Sequence, residues 1–218
     1  MTAPAPLILA IDTTHESGSL ALLRGAGTLE ETALRAPTGF AHVLYGELAA
    51  LLDRNAVPLS SIDCFAAASG PGSFTGVRVG LACVKGLAEA AKKPAVAISN
   101  LRALATFGQS KLRAPLIDAR RGEVYAAVYD AAGGVVVDEM VVPLEVFLQR
   151  LPAGEVEFIG SDFSPFQPAV AGTLAPAALA AAIGRLAHLE FAAGRASDPA
   201  ALDANYVRRS DAELFWKD

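Results

Sequence analysis

Ser69-Gly70-Pro71-Gly72-Ser73-Phe74-Thr75-Gly76-Val77-Arg78-Val79-Gly80 is the stretch whose reading decides the fold. The apolar run at 62–68 before it is short and bounded, which marks a buried strand. Gly70-Pro71-Gly72 then interrupts regular structure. A hydroxyl from Ser73 or Thr75 can accept an orphan N–H of a first helical turn. Phe74, Val77, Leu81, Val84, Ala88 and Ala91 follow at spacings of three and four, one apolar face of a helix running to about Lys92. Gly76, Gly80 and Gly86 fall inside that helix, each at a cost of up to about 1 kcal/mol against alanine. Together with Cys83 they imply that another backbone packs very close. A strand, a glycine turn and a helix start would suit an anion, since helix N-termini attract negative charge. The spelling argues against a phosphate loop. No Gly-Lys-Ser/Thr follows Gly72, and Thr75 stands where a dinucleotide fingerprint needs glycine.

Working outward, residues 7–11 read as a buried strand ending at Asp12, with further strands at 19–23 and 28–34. A helix is expected over 40–55, with Leu44, Leu48, Leu51 and Leu52 on one side. After the signature helix come a strand at 95–98 and a helix from Ser99 or Asn100 toward Gln109. The order then repeats. Strands are expected at 115–118, 123–129 and 135–142, a short helix at 144–150, a strand at 155–159, and a helix from Pro176 to about Ala193. Each half carries Ile-Asp at the end of its first strand. The pattern predicts an α/β protein of two duplicated ribonuclease-H-like subdomains, mixed sheets flanked by helices. Residues 1–108 form the first and 109–218 the second, with the stretch from Asp198 packing back on the body.

The 218 residues are 53% hydrophobic and 19% charged, which suits a sizeable core and argues against disorder. The formal net charge is −5 and no long Lys/Arg run occurs, so autonomous grip on a nucleic-acid backbone is not expected. Cys64 and Cys83 have neither metal nor disulfide-framework spacing and read as buried, reduced thiols. No charged-then-apolar leader precedes Leu7, and no run reaches the ~18 apolar residues of a membrane span. A cytoplasmic protein without membrane attachment is the expectation.

The signature at 69–80, Ile8-Leu9-Ala10-Ile11-Asp12-Thr13-Thr14, Ile117-Asp118-Ala119-Arg120-Arg121-Gly122-Glu123-Val124-Tyr125 and Tyr206-Val207-Arg208-Arg209-Ser210-Asp211-Ala212 together resemble the TsaB (YeaZ) family. These are non-catalytic paralogues of the TsaD/Kae1 proteins within the actin–Hsp70–sugar-kinase superfamily. The resemblance covers nearly the whole chain. It implies a scaffold and activator in synthesis of N6-threonylcarbamoyladenosine (t6A) on tRNA. Such a chain pairs with TsaD, is joined by the ATPase TsaE, meets tRNA only indirectly, and self-associates when alone. It implies no cofactor on the isolated chain, with ATP or ADP held only at a composite site with partners. The alternatives are a kinase-like ATPase or an M22-type metallopeptidase acting alone, or a stand-alone homodimeric binding module.

The two N-terminal helices look two-sided, with more apolar and small surface than one sheet face needs. An exposed apolar patch of this kind marks a partner. The expected interface is Phe40, Val43, Leu44, Glu47, Leu48 and Leu51 on the first helix. On the second it is Phe74, Gly76, Val77, Arg78, Gly80, Leu81, Val84 and Lys85. Asp12, Thr13, Thr14 and Ser73, with Asp118, Arg120, Arg121 and Glu123, are candidates for the degenerate wall of a nucleotide cleft between the halves. Equally, Asp12 and Thr13 can satisfy backbone N–H groups of a hairpin turn, and the charges at 118–123 can pair with one another. His15-Glu16 puts bulk and negative charge where phosphate would sit. The resemblance places His42 where catalytic paralogues carry two metal-holding histidines four apart. Position 46 is glycine here, so no metal site is expected. No Ser–His–Asp set, carboxylate pair or Cys–His dyad can be assembled, and no catalytic residue is assigned. Tyr206, Arg208 and Arg209 form a small basic-aromatic cluster, and Trp216 reads as a packing anchor.

Overall fold

The computed structural model describes residues 4–36 and 39–208. The chain divides into two compact units, 1–103 with 177–204, and 104–176 with 205–218. In the first, β1 (Leu7–Asp12) is buried along its whole length and sits between antiparallel β2 (Ser17–Arg24) and parallel β4 (Cys64–Ala68). β3 (Gly27–Arg35) and β5 (Ala95–Ile98) complete the order β3-β2-β1-β4-β5. Strand alternation sends Leu7, Leu9 and Ile11 into one core with α1 (Leu44–Arg54) and α2 (Phe74–Ala91). Ile8, Ala10 and Leu23 take the other face.

The helix expected from Pro176 begins later, as α5 (Ala180–Ala192), and belongs to the first unit. This corrects the division at 108/109. The physical reason is its stripe of Ala180, Ile183, Gly184 and Ala187, all buried, which is shallow enough to lie on β1 and β2. A Cβ at Gly184 would overlap Leu23. Ser19 anchors the start: its buried Oγ accepts from Leu179 N at 3.1 Å and Ala180 N at 2.9 Å. Glu31 accepts from Ala181 N at 2.8 Å. The following turn, Pro199–Ala201, packs on α2, and Leu202 joins the core of α1 and α2. Two shorter differences are local. The first helix opens with a separate 3₁₀ turn, Phe40–His42, and α3 (Asn100–Ala105) stops short of Gln109.

The second unit repeats the sheet. β6 (Leu112–Asp118), β7 (Glu123–Asp130) and β8 (Val135–Pro143) are antiparallel neighbours. After α4 (Leu144–Leu148), β9 (Val156–Gly160) and β10 (Thr173–Leu174) add in parallel, giving β10-β9-β6-β7-β8. Read from the hairpin edge, the two sheets have the same order, which is the duplicated ribonuclease-H-like architecture. Phe147, Phe163 and Phe166 fill the second core. Among the described residues no helix is long and apolar enough to cross a membrane.

The anchoring of α5 gives a direct test. Ser19→Ala strands two buried helix N–H groups, and should lower unfolding free energy by about 1–2 kcal/mol in a denaturant titration.

Candidate functional site

The turn after β1 is seated on the start of α2. Asp12, Thr13 and Thr14 are fully buried. Asp12 Oδ1 accepts from Thr14 N at 2.9 Å and from Thr14 Oγ1 at 2.6 Å. Thr14 Oγ1 in turn accepts from Asn100 Nδ2 at 2.8 Å, and Asn100 Oδ1 accepts from Gly70 N at 3.0 Å. Thr13 Oγ1 donates to the Gly76 carbonyl at 2.7 Å. Ser73 N donates to the Thr14 carbonyl at 2.7 Å, while Ser73 Oγ accepts from Gly76 N at 3.3 Å as the N-cap of α2. The candidate cleft residues of the first unit are thus brought together, and these contacts hold the turn to the helix.

The signature glycines follow from that contact. A Cβ at Gly72 would stand 2.5 Å from the Thr14 carbonyl oxygen, one at Gly80 2.6 Å from Thr13 Oγ1, and one at Gly76 would overlap the Thr13 carbonyl. The close neighbour is the chain's own β1 turn, its backbone at Gly72 and Gly76 and the Thr13 side chain at Gly80. This corrects the expected interface: Gly76, Val77, Gly80, Leu81 and Val84 of α2, and Phe40, Leu44, Leu48 and Leu51 before and within α1, are all buried in the unit's interior.

What α1 and α2 turn outward is a different strip. Phe74 is 45% exposed and Tyr45 60% exposed. The Arg78 guanidinium lies 3.6 Å from the Phe74 ring centroid, a cation–π stack that fixes both side chains. Thr75, Ala82, Gly86 and Ala90 continue along exposed α2, with Ala41, His42, Gly46, Glu47 and Ala49 exposed beside Tyr45; Val43 and Lys85 are half-buried. Tyr45 of α1 lies beside Cys83 of α2. A Cβ added at Gly46 or Gly86 would meet open space, so nothing inside the unit requires glycine there. Tyr45, Ala82 and Gly86 were not selected from sequence. The signal was present: Phe74, Arg78, Ala82, Gly86 and Ala90 recur every four residues opposite the apolar face.

In the second unit, Asp118, Arg120, Arg121 and Glu123 meet at the β6–β7 hairpin and line a cavity of about 250 Å³. Asp118 Oδ1 accepts from Arg120 N at 2.8 Å, and its other oxygen lies 3.2 Å from Arg120 Nη1. Arg120 and Arg121 occupy left-handed backbone at φ 62° and 57°, which costs a non-glycine residue roughly 1–2 kcal/mol. Arg208 pairs with Glu123, donates to the Ala119 carbonyl at 3.0 Å, and lies 5.7 Å from the Tyr125 ring centroid. Tyr206 is 45% exposed; Arg209 and Trp216 lie outside the described residues.

The remaining reactive groups are subdued. Cys64 and Cys83 are free and buried. Burial pushes their thiols up to about 12 and about 11, so both stay protonated. Among the described residues no three His, Cys, Asp or Glu side chains form a metal-holding group.

The TsaD family model, tRNA N6-adenosine threonylcarbamoyltransferase, matches residues 36–191. The tRNA threonylcarbamoyladenosine biosynthesis protein TsaB of Bacillus subtilis is 30% identical over 222 residues, 96% of this chain and 97% of that protein. The Haemophilus influenzae protein of the same name is 41% identical over 124 residues, 54% of this chain and 51% of that protein. Among solved structures, YeaZ from Pseudomonas aeruginosa superposes with a TM-score of 0.78 at 30% identity, covering 92% of this chain and 99% of its own.

Two glycine substitutions separate the inner from the outer face of α2. Gly86→Ala should stabilise the fold by up to about 1 kcal/mol, because only helix propensity changes. Gly76→Ala should destabilise it by about 1–3 kcal/mol or more, because the new methyl meets backbone. Paired chemical-denaturation curves check both signs.

Proposed function

This chain belongs to the TsaB (YeaZ) family, and from that premise we propose that it is a non-catalytic scaffold of t6A synthesis on tRNA. In this reading it pairs with a TsaD-type transferase through the outward strip of α1 and α2. A TsaE-type ATPase joins the pair, and ATP or ADP is held only where the subunits meet. Alone, the chain covers the same strip with a second copy. It works in the cytoplasm and reaches tRNA through its partner.

The observation that carries the reading is the strip itself: exposed Tyr45 and Phe74, Arg78 stacked on Phe74, and glycines at 46 and 86 that no internal contact explains. Aromatic and arginine side chains are the residues that dominate protein interfaces. Surface glycine and alanine let a foreign helix approach closely. The non-catalytic assignment draws support from Thr13, whose hydroxyl bonds the Gly76 carbonyl of α2, from Thr14, which bonds Asp12 within the turn, and from thiols that stay protonated. A net charge of −5 favours RNA contact through a partner over direct grip.

Reconstitution tests it. TsaD, TsaE, tRNA, ATP and the threonylcarbamoyl donor should yield modified adenosine only when this chain is added. Phe74→Asp should weaken association with TsaD by at least about thirtyfold, the effect of losing an interface anchor, with the monomer's melting temperature little changed. Equal yields with and without the chain remove the scaffold role; turnover by the chain alone restores an enzymatic one.

A further inference from the structure

The buried polar chain behind the β1 turn does not end in the interior. It starts at a group whose sense is fixed. The Gly70 N–H can only donate, so Asn100 Oδ1 faces it, at 3.0 Å. The Asn100 amide therefore turns Nδ2 to Thr14 Oγ1, at 2.8 Å. Thr14 Oγ1 has one hydrogen, and it points to Asp12 Oδ1 at 2.6 Å, since a carboxylate brings none of its own. Of the two lone pairs on Oγ1, one takes Asn100 and the other faces His15 Nδ1 at 2.9 Å. With no hydrogen left to give, Thr14 accepts, and His15 Nδ1 carries the proton. A neutral imidazole protonated on Nδ1 has its free lone pair on Nε2. His15 is half-buried and follows Thr14, whose carbonyl accepts from Ser73 N at the start of α2. Among the described residues Nε2 has no hydrogen-bond partner.

We propose that His15 Nε2 is a directional hydrogen-bond acceptor at the end of the docking strip, and that it selects a partner bearing an N–H or O–H donor at that place. The inference rests on the docking role given to α1 and α2 above. Continuity carries the placement: Ser73 bonds the Thr14 carbonyl, and the next residue, Phe74, opens the exposed strip. Direction carries the chemistry. A free histidine presents either nitrogen to suit its neighbour, whereas this ring is held by a buried chain running through Thr14 to Asp12, Asn100 and Gly70. A partner that sets a carbonyl or carboxylate against Nε2 puts two acceptors face to face and is disfavoured. A metal ion would use the same lone pair, but among the described residues no three His, Cys, Asp or Glu side chains gather to hold one. A protein donor is the ligand that fits.

The ring state is read first, on the unaltered full chain. Long-range proton–nitrogen correlation NMR of isotopically labelled histidine, at mildly alkaline pH, gives one ring pattern for each of the three histidines. The pattern missing from His15→Gln belongs to His15. A protonated Nδ1 with a bare Nε2 is expected. A protonated Nε2, an exchanging mixture of tautomers or a doubly protonated ring overturns the proposal. Affinity for a TsaD-type partner is then compared. Glutamine sets an acceptor oxygen near the place of Nε2, whereas asparagine reaches only the place of Nδ1. His15→Asn should weaken association about tenfold, the effect of one interface hydrogen bond, and His15→Gln less than about threefold. Unchanged affinity in both variants, or equal loss in both, also overturns the proposal. Phe74→Asp keeps the two readings apart. If that variant binds undiminished, the docking role of the strip fails and the contact with it, while the ring pattern still reports the tautomer.

Discussion

The fold turns on the close approach of the β1 turn to the first two turns of α2. Thr13 and Thr14 lie so near Gly72, Gly76 and Gly80 that a methyl group at any of these would collide with them. The contact is secured by a buried polar chain from Asp12 through Thr14 and Asn100 to Gly70. Buried polar groups are costly unless bonded, and a linked set fixes one arrangement rather than several. Here the set fixes the end of β1, the Gly70-Pro71-Gly72 turn and the start of α3 in one arrangement.

That constraint has two consequences for function. A carboxylate and hydroxyls after the first strand would, in another setting, face a phosphate or a metal. In this chain the Asp12 carboxylate bonds Thr14 within its own turn, and the Thr13 hydroxyl bonds the Gly76 carbonyl of α2. The helix gripped this way is held from one side only. Its opposite side carries Phe74, Arg78, Ala82 and Gly86 outward, with Tyr45 of α1 alongside. The rigidity of the inner contact is what makes the outer strip a preformed surface, and preformed surfaces lose less on binding.

Much of this was legible in the residues. The period of Val77, Leu81, Val84 and Ala88 marks the inward face of α2 correctly, although Phe74, read with them, turns outward, and the repeated Ile-Asp strand ends mark the duplicated sheets. Glycine at 76 correctly announces a close backbone, and at 80 a close side chain, that of Thr13, but composition cannot say whose. Only the register of the β1 turn shows that it belongs to the same chain. The return of α5 to the first unit was hidden by its alanine-rich sequence, in which small residues define a weak apolar direction. It is decided by caps from Ser19 and Glu31, about 150 residues upstream. The left-handed arginines at 120 and 121 had no signal at all, because arginine does not favour that conformation.

The central claim is that Thr14 and Asn100 act as one unit in tying the β1 turn to the Gly70-Pro71-Gly72 turn and the start of α3, the frame from which α2 begins. A double-mutant cycle of Thr14→Val and Asn100→Ala, read from unfolding free energies, tests it most directly. The account predicts a coupling of about 1 kcal/mol or more between the two positions. Additivity to within about 0.5 kcal/mol, the behaviour of independent sites, would contradict it.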